Sequence, residues 1–180
     1  MDTKECILSR RSVRQFVDRE ISQEIIKDIV RQAQFAPSWK NSQTVRYIAV
    51  CDKDVKNEIA KNCVNGFEWN TGIISRANVL MIEVTINNIS GYNPDGTPTS
   101  DKGSHWQSFD AGLNAQTFCL AAHNLGVGSV ILGIFNENKI KEVLNLDEKY
   151  SISALIPLGY YDELPQNPPR KELDEVLSFV

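Results

Sequence analysis

Three arginines and a hydroxyl crowd into five positions near the amino terminus, where "RRSVR" sets Arg10, Arg11 and Arg14 around Ser12. Guanidinium forks match phosphate oxygens two at a time, so this group has the chemistry of a phosphomonoester site. Taken alone it reads equally as a solvated basic turn pairing with surface carboxylates. Arg170 and Lys171, after Pro168 and Pro169, form the other basic pair on a stiff backbone, and a bound phosphate could bring both ends of the chain together. A second stretch, "APSWKNSQ", offers Ser38, Asn41 and Gln43, groups suited to a planar ligand edged with carbonyls and ring nitrogens. It reads equally as a plain polar loop.

Other arrangements carry less. "LGVGSVILG" contains Gly126, Gly128 and Gly133, but these follow a helix and lead into a strand, the reverse of a dinucleotide fingerprint. Gly126 suits a left-handed helix cap, and Gly133 a close approach of backbone to a ligand or another strand. Cys119 and His123 have the spacing of a thiolate–imidazole pair or half a metal site, with no third group to orient them. On an Ala-rich helix they read as core. His105 is isolated, and no GxSxG, HExxH or carboxylate pair supports hydrolysis. The four cysteines lie far apart without a CxxC pair and read as reduced, mostly buried thiols, and no metal is expected.

The elements that must hold these groups follow from periodicity and caps. Asp2 and Thr3 open a short helix through Ser9, and Ser22 caps a second whose apolar Ile25, Ile26, Ile29, Val30, Ala33 and Ala36 repeat with the helical period until Pro37. Val45 to Cys51 and Val79 to Ile86 read as strands, with a helix over Asp54 to Cys63. Asn87 to His105 is a long loop with the makings of a lid, and Trp106 to Leu125 is a central, mostly buried helix. Val127 to Phe135 reads as a third strand, Asn136 caps a helix to Leu146, and Ser151 to Tyr160 is a fourth strand. The last twenty residues form a proline-rich arm ending in a short amphipathic helix, with Leu173, Val176, Leu177 and Phe179 available to another surface or to the domain itself.

A chain of 180 residues, 42% hydrophobic and 23% charged, suits one domain with a core that needs neither disulfide nor metal. A net charge of -4 gives no footprint for nucleic acid. No apolar run approaches the roughly 18 residues of a membrane span. The start, Met-Asp-Thr-Lys-Glu, is unlike a secretory signal, so a cytoplasmic location is expected.

In order along the chain, "RRSVRQF", "APSWKNSQ", "FDAGLNAQTFCLAAHNLGVGSVILG" and "PPRK" resemble the FMN-dependent nitroreductase family, nearly end to end. That resemblance implies an α+β fold, a mixed and mainly antiparallel sheet flanked by helices. It implies an intertwined homodimer with FMN sites at the subunit interface and residues 161–180 reaching the partner. Arg10 and Ser12 would bind the FMN phosphate with Arg170, Arg11 would lie near the ribityl chain, and Arg14 would face the pyrimidine edge. Pro37, Ser38 and Asn41 would come from the other subunit. Asn70 would approach the pyrimidine edge, and the backbone of Ile131, Leu132 and Gly133 the ring's N5. The implied activity is ping-pong transfer of hydride from NADH or NADPH through FMN to a nitroaromatic or quinone, with no side chain acting as an acid. Trp106 and Phe109 are the candidate substrate wall. The rival is a flavin-binding sensor, carrier or redox partner without significant nicotinamide turnover. Thr44 and Val45 replace the Pro and Trp that often follow the loop's Gln in the family, and Trp39 is larger than usual there, so the pocket's shape is its own.

Overall fold

The strand Val79–Ile86 (β2) reads "VLMIEVTI", β-branched and apolar with no alternation, and it is buried on both faces at the centre of the sheet. The computed structural model describes all 180 residues. Its sheet has four strands in the order β1-β2-β4-β3. The other three are Val45–Val50 (β1), Gly128–Ser129 (β3) and Tyr150–Gly159 (β4). Every ladder is antiparallel, and the one parallel contact is the isolated bridge Ser12–Ser129. Six helices cover the sheet: Thr3–Ser9 (α1), Gln23–Ala33 (α2), Lys53–Asn62 (α3), Glu68–Arg76 (α4), His105–Asn124 (α5) and Glu137–Leu144 (α6). The expected α+β architecture is thus present.

Alternate residues of β2 feed two cores. Val79 and Met81 pack with Ile26 and Ile29 of α2 and Phe118 and Ala122 of α5. Leu80, Ile82 and Val84 face Ile59 of α3, Ile73 and Ile74 of α4 and Ile140 of α6. A bulge between Glu83 and Val84 lets Ser153 slip out of register, so Ile152 joins the second core while Ala154, Ile156 and Leu158 join the first. The caps read from sequence are in place: Ser22 Oγ accepts from Ile25 N at 3.3 Å, and Asn136 Oδ1 accepts from Lys139 N at 3.1 Å. Asp52 caps α3, accepting from Asp54 N and Val55 N at 2.9 Å each.

Four expectations need correction. α2 stops at Ala33, because Ala36 precedes Pro37 and is steered out of the helical region. The strand expected over Val127 to Phe135 shrinks to Gly128–Ser129 plus a lone bridge from Leu132 to Leu155. Pro157 of β4 has no N–H to donate to that side of the ladder, which breaks the pairing between those two contacts. The helix α4 was not anticipated: "EWNTGIISR" contains Gly72, Thr71 and two isoleucines, and Phe67 supplies no side-chain cap. Tertiary packing builds it, through buried Ile73 and Ile74 and the Thr71 hydroxyl donating to Ala60 O at 2.8 Å. The carboxy-terminal helix is only a 3-10 turn, Leu173–Glu175.

Of the two approaches open to Gly133, a ligand or another strand, no packed segment accounts for it, and the close packing falls at Gly128. A Cβ on Gly133 would meet nothing within 4 Å, whereas one on Gly128 would lie 2.8 Å from Val13 Cβ and from the Tyr161 ring. Gly128 therefore lets the arginine-bearing segment lie against β3, where Val13 N donates to Ser129 O at 2.9 Å. Gly126 caps α5 with φ +73, as read. Gly128→Ala is expected to lower stability by about 1–3 kcal/mol through overpacking. The urea midpoint measures it, and an unchanged midpoint would mean that Val13 is not held there.

Candidate functional site

The structure sorts the candidate residues into two clusters and one outlier. The first gathers around β3. Ser12 bridges Ser129, which fixes Arg10, Arg11 and Arg14 beside the chain that continues into Ile131, Leu132 and Gly133. Asn70, 3% exposed on α4, donates from Nδ2 to Ile134 O at 3.1 Å and so ties α4 to the same turn. Arg14 is exposed, held by one hydrogen bond of 3.1 Å to Ser12 O. Arg11 donates to the carbonyls of Leu8 and Arg10 at 2.7 and 2.8 Å. The Arg10 Nε is buried and has no acceptor in the chain. An unpaired buried guanidinium nitrogen beside a hydroxyl and two further cations is a ready anion receptor.

The carboxy-terminal third of α5 backs this cluster. His123 Nε2 lies 2.8 Å from Ser9 Oγ, and burial together with Arg10 and Arg11 pushes its pKa below the ordinary histidine value. Burial pushes the Cys119 thiol up, with Ser129 and Arg10 pulling the other way. Cys119 and His123 are thus core neighbours of the basic segment, and no group of three or more metal-binding side chains exists anywhere in the fold.

The second cluster hangs from the other end of α5. Asp110, 2% exposed, accepts from Trp39 N at 3.0 Å on both oxygens, from Ser42 Oγ at 3.4 Å and from Ser90 Oγ at 2.7 Å. This one carboxylate pins the loop carrying Pro37, Ser38 and Asn41 as well as the start of the Asn87 to His105 loop. Ser38 Oγ accepts from Gln43 N at 3.0 Å, closing a turn in which Lys40, Asn41 and Gln43 all take positive φ. Trp39, Trp106 and Phe109 form an aromatic group beside it, with ring centroids 4.6 and 5.6 Å apart. Phe109 is 57% exposed. The long loop is folded rather than slack: Tyr92 bridges Pro98, and Trp106 Nε1 donates to Ser100 Oγ at 3.1 Å.

Asp110 and His123 are thirteen residues apart on one helix, roughly 20 Å at 1.5 Å per residue. The two clusters therefore lie at opposite ends of α5. Arg170 joins neither, since its guanidinium reaches only the carbonyls of Pro168 and Pro169, at 3.1 and 3.4 Å. Residues 162–180 are exposed throughout and make no hydrogen bond to the body of the fold.

Between the clusters lies a buried polar group that the sequence reading passed over. Glu83 is the only charged residue of β2, is 1% exposed, and burial pushes its pKa up to about 8, the Tyr47 hydroxyl pulling slightly the other way. Tyr47 donates to Asn114 Oδ1 at 2.7 Å and lies 3.4 Å from Glu83 Oε1. A lone acid in an apolar strand and a lone acid in an apolar helix, Glu83 and Asp110, were the available signals.

A sequence profile of the nitroreductase family matches residues 7–72 and 74–160. An NADPH-flavin oxidoreductase of Vibrio harveyi is 28% identical over 172 residues, covering 94% of this chain and 70% of the relative. The Bacillus subtilis protein named FMN reductase (NAD(P)H) is 26% identical over 91% of this chain and 68% of its own length. Among solved structures, a nitroreductase family protein from Streptococcus pneumoniae superposes with a TM-score of 0.84 at 24% identity, covering 98% of this chain and 99% of that one. An FMN-dependent nitroreductase from Clostridium difficile gives a TM-score of 0.78 at 25% identity, covering 98% of each.

Glu83 gives the structure a pH signature. A carboxyl whose folded pKa lies above its unfolded value costs nothing in strongly acidic solution. It lowers stability as pH rises from near 4.5, where the unfolded chain ionises, to about 8, where the folded protein ionises too. Glu83→Gln, compared with the parent by chemical denaturation, is expected to gain about 1–3 kcal/mol relative to it between pH 5 and pH 8. A pH-independent difference would show that Glu83 is already ionised in the fold.

Proposed function

Because this chain belongs to the nitroreductase family, we propose that it is an FMN-dependent NAD(P)H oxidoreductase acting on nitroaromatic compounds or quinones. The observation that carries this reading is the Arg10–Ser12–Arg14 segment, docked on β3 beside Asn70 and the Ile131 to Gly133 turn. These residues fit the cofactor: the buried Arg10 Nε lacks an acceptor that a phosphate would supply, and Gly133 leaves its backbone face open. When bound, FMN supplies the redox chemistry, taking hydride from NADH or NADPH and passing electrons to the acceptor in a separate half-reaction.

The chain's own residues bind and orient. Arg10 and Ser12 hold the phosphate, and Arg11 lies along the ribityl side. Arg14 places a fixed positive charge at the pyrimidine edge, where negative charge develops, and the Asn70 carboxamide adds a polar group there. Backbone groups of Ile131, Leu132 and Gly133 would border the flavin N5. Trp106 and Phe109 offer aromatic faces to a planar acceptor. In this reading no side chain acts as an acid, and water would deliver the protons.

The working unit would be a homodimer, with Pro37, Ser38 and Asn41 supplied by a second copy, and the separation of roughly 20 Å between the ends of α5 supports that arrangement. The arm fits the same arrangement. Its Leu173, Val176 and Phe179 are 65%, 65% and 90% exposed, and they alternate with Glu172, Asp174 and Glu175. A groove of about 520 Å³ between α2, β1 and α5 combines Ile26, Val30 and Val45 with Lys27, Arg31 and Arg46. Its apolar floor would receive the apolar side chains of the partner's arm, with Arg46 free of carboxylates while Lys27 and Arg31 pair with Glu24 and Asp28.

Two measurements test this. The purified protein should show a flavin absorption band that bleaches anaerobically with NADH or NADPH and returns on adding a nitroaromatic or quinone. A band that neither donor bleaches would replace this reading with the flavin-binding sensor, carrier or redox partner, and the absence of any band after adding FMN would end both. Arg10→Ala should weaken FMN binding about tenfold to a hundredfold, one charged hydrogen bond. Equal affinity by fluorescence titration would move the phosphate elsewhere.

A further inference from the structure

A second cleft, of about 730 Å³, opens on a different part of the surface, between the segment leading into α2, the start of α3 and the junction of α4 with β2. That volume is typical of small-molecule sites, which run from about 300 to 1,000 Å³. Lys56 lines it while only 4% exposed, and its ammonium donates to the Ala77 carbonyl. No carboxylate lies within 4 Å of that ammonium. An ammonium has three donors, and a buried one is ordinarily paired with an anion. Burial and neighbouring Lys53 lower the Lys56 pKa, against a weaker upward pull from Asp18 and Cys51. Lys53 and Arg76 line the same cleft and are also free of ion pairs, as are Asp18 and Glu20 from the segment before α2. Five charges of both signs thus surround one cavity without closing on each other.

We infer that this cleft binds a phosphorylated polyol, the class of sugar phosphates and nucleotides, with Lys53, Lys56 and Arg76 on the phosphate and Asp18 and Glu20 on hydroxyls. Three cations match a dianion, and charged donors and phosphate oxygens form the stronger class of hydrogen bond. Two carboxylates accept from vicinal hydroxyls, which a bare inorganic anion lacks. None of these five residues belongs to the basic cluster at β3, so the site stands whether or not the flavin reading does.

FMN-saturated protein is the material for the test, since FMN fills any phosphate site at Arg10. Cys51 lines the cleft and is the exposed cysteine, the other three being buried, so its alkylation by iodoacetamide reports occupancy. Ribose 5-phosphate should slow Cys51 labelling and, by calorimetry, bind about tenfold or more tighter than inorganic phosphate. AMP binding tighter still would make the natural source a nucleotide, and weaker AMP binding a free sugar phosphate. Lys53→Gln and Arg76→Gln, both on the surface, should each weaken ribose 5-phosphate about tenfold with FMN affinity unchanged. Lys56→Gln should abolish binding, and the two surface variants keep the test valid if that change loosens α3. Unprotected Cys51 at millimolar ribose 5-phosphate, equal binding of inorganic phosphate, or undiminished binding by both surface variants would overturn the proposal.

Discussion

Asp110 is the only acidic residue of α5, and its ionisable oxygens are removed from solvent by the loops that they hold. Burying a carboxylate is costly unless donors replace its water, and here two backbone-anchored loops supply them, from Trp39, Ser42 and Ser90. The consequence is positional. The loop with three positive-φ residues and the long loop after β2 both take their placement from one side chain, and the Trp39–Trp106–Phe109 group forms where they meet. Strained backbone of this kind persists only when its surroundings over-determine it, and Asp110 is what over-determines it.

The helix that carries Asp110 also sets the scale of the site. α5 runs from the aromatic group at its start to the basic segment at its end, where Ser9 meets His123 and Ser12 meets β3. A rod of 20 residues keeps the two clusters at its opposite ends. The arm, residues 162–180, lies off that rod, exposed along its length and without a hydrogen bond to the body of the fold.

The sheet contributes the third constraint. β2 serves a core on each face, and the bulge at Glu83 lets β4 exchange sides partway along. The same bulge sits beside a carboxyl whose pKa burial pushes up to about 8. Pro157 then interrupts the ladder on the far edge, so Val130 and Ile131 run unpaired before Leu132 bridges Leu155 and the Ile134 carbonyl accepts from Asn70. An irregularity in the strand thus makes room for the candidate site, as irregular backbone generally does near function.

Local chemistry determined much of this in the sequence itself. Caps at Ser22 and Asn136, the helical periods of α2 and α5, the β-branched runs of β1, β2 and β4 and the left-handed Gly126 are all decided within a few residues, so they were legible. So were the polar groups of the candidate site, because residue type alone limits what they can bind. The rest depended on partners distant in the chain. α4 has poor propensity and exists because Ile73 and Ile74 find a core; β3 is short because a proline over twenty residues later withholds a donor. Gly128 is tight because Val13 lies against it, while Gly133 keeps an open face. Sequence fixes the energies of neighbouring residues, whereas burial, desolvation and the separation of the two clusters are properties of the packed chain, and only folding brings those into being.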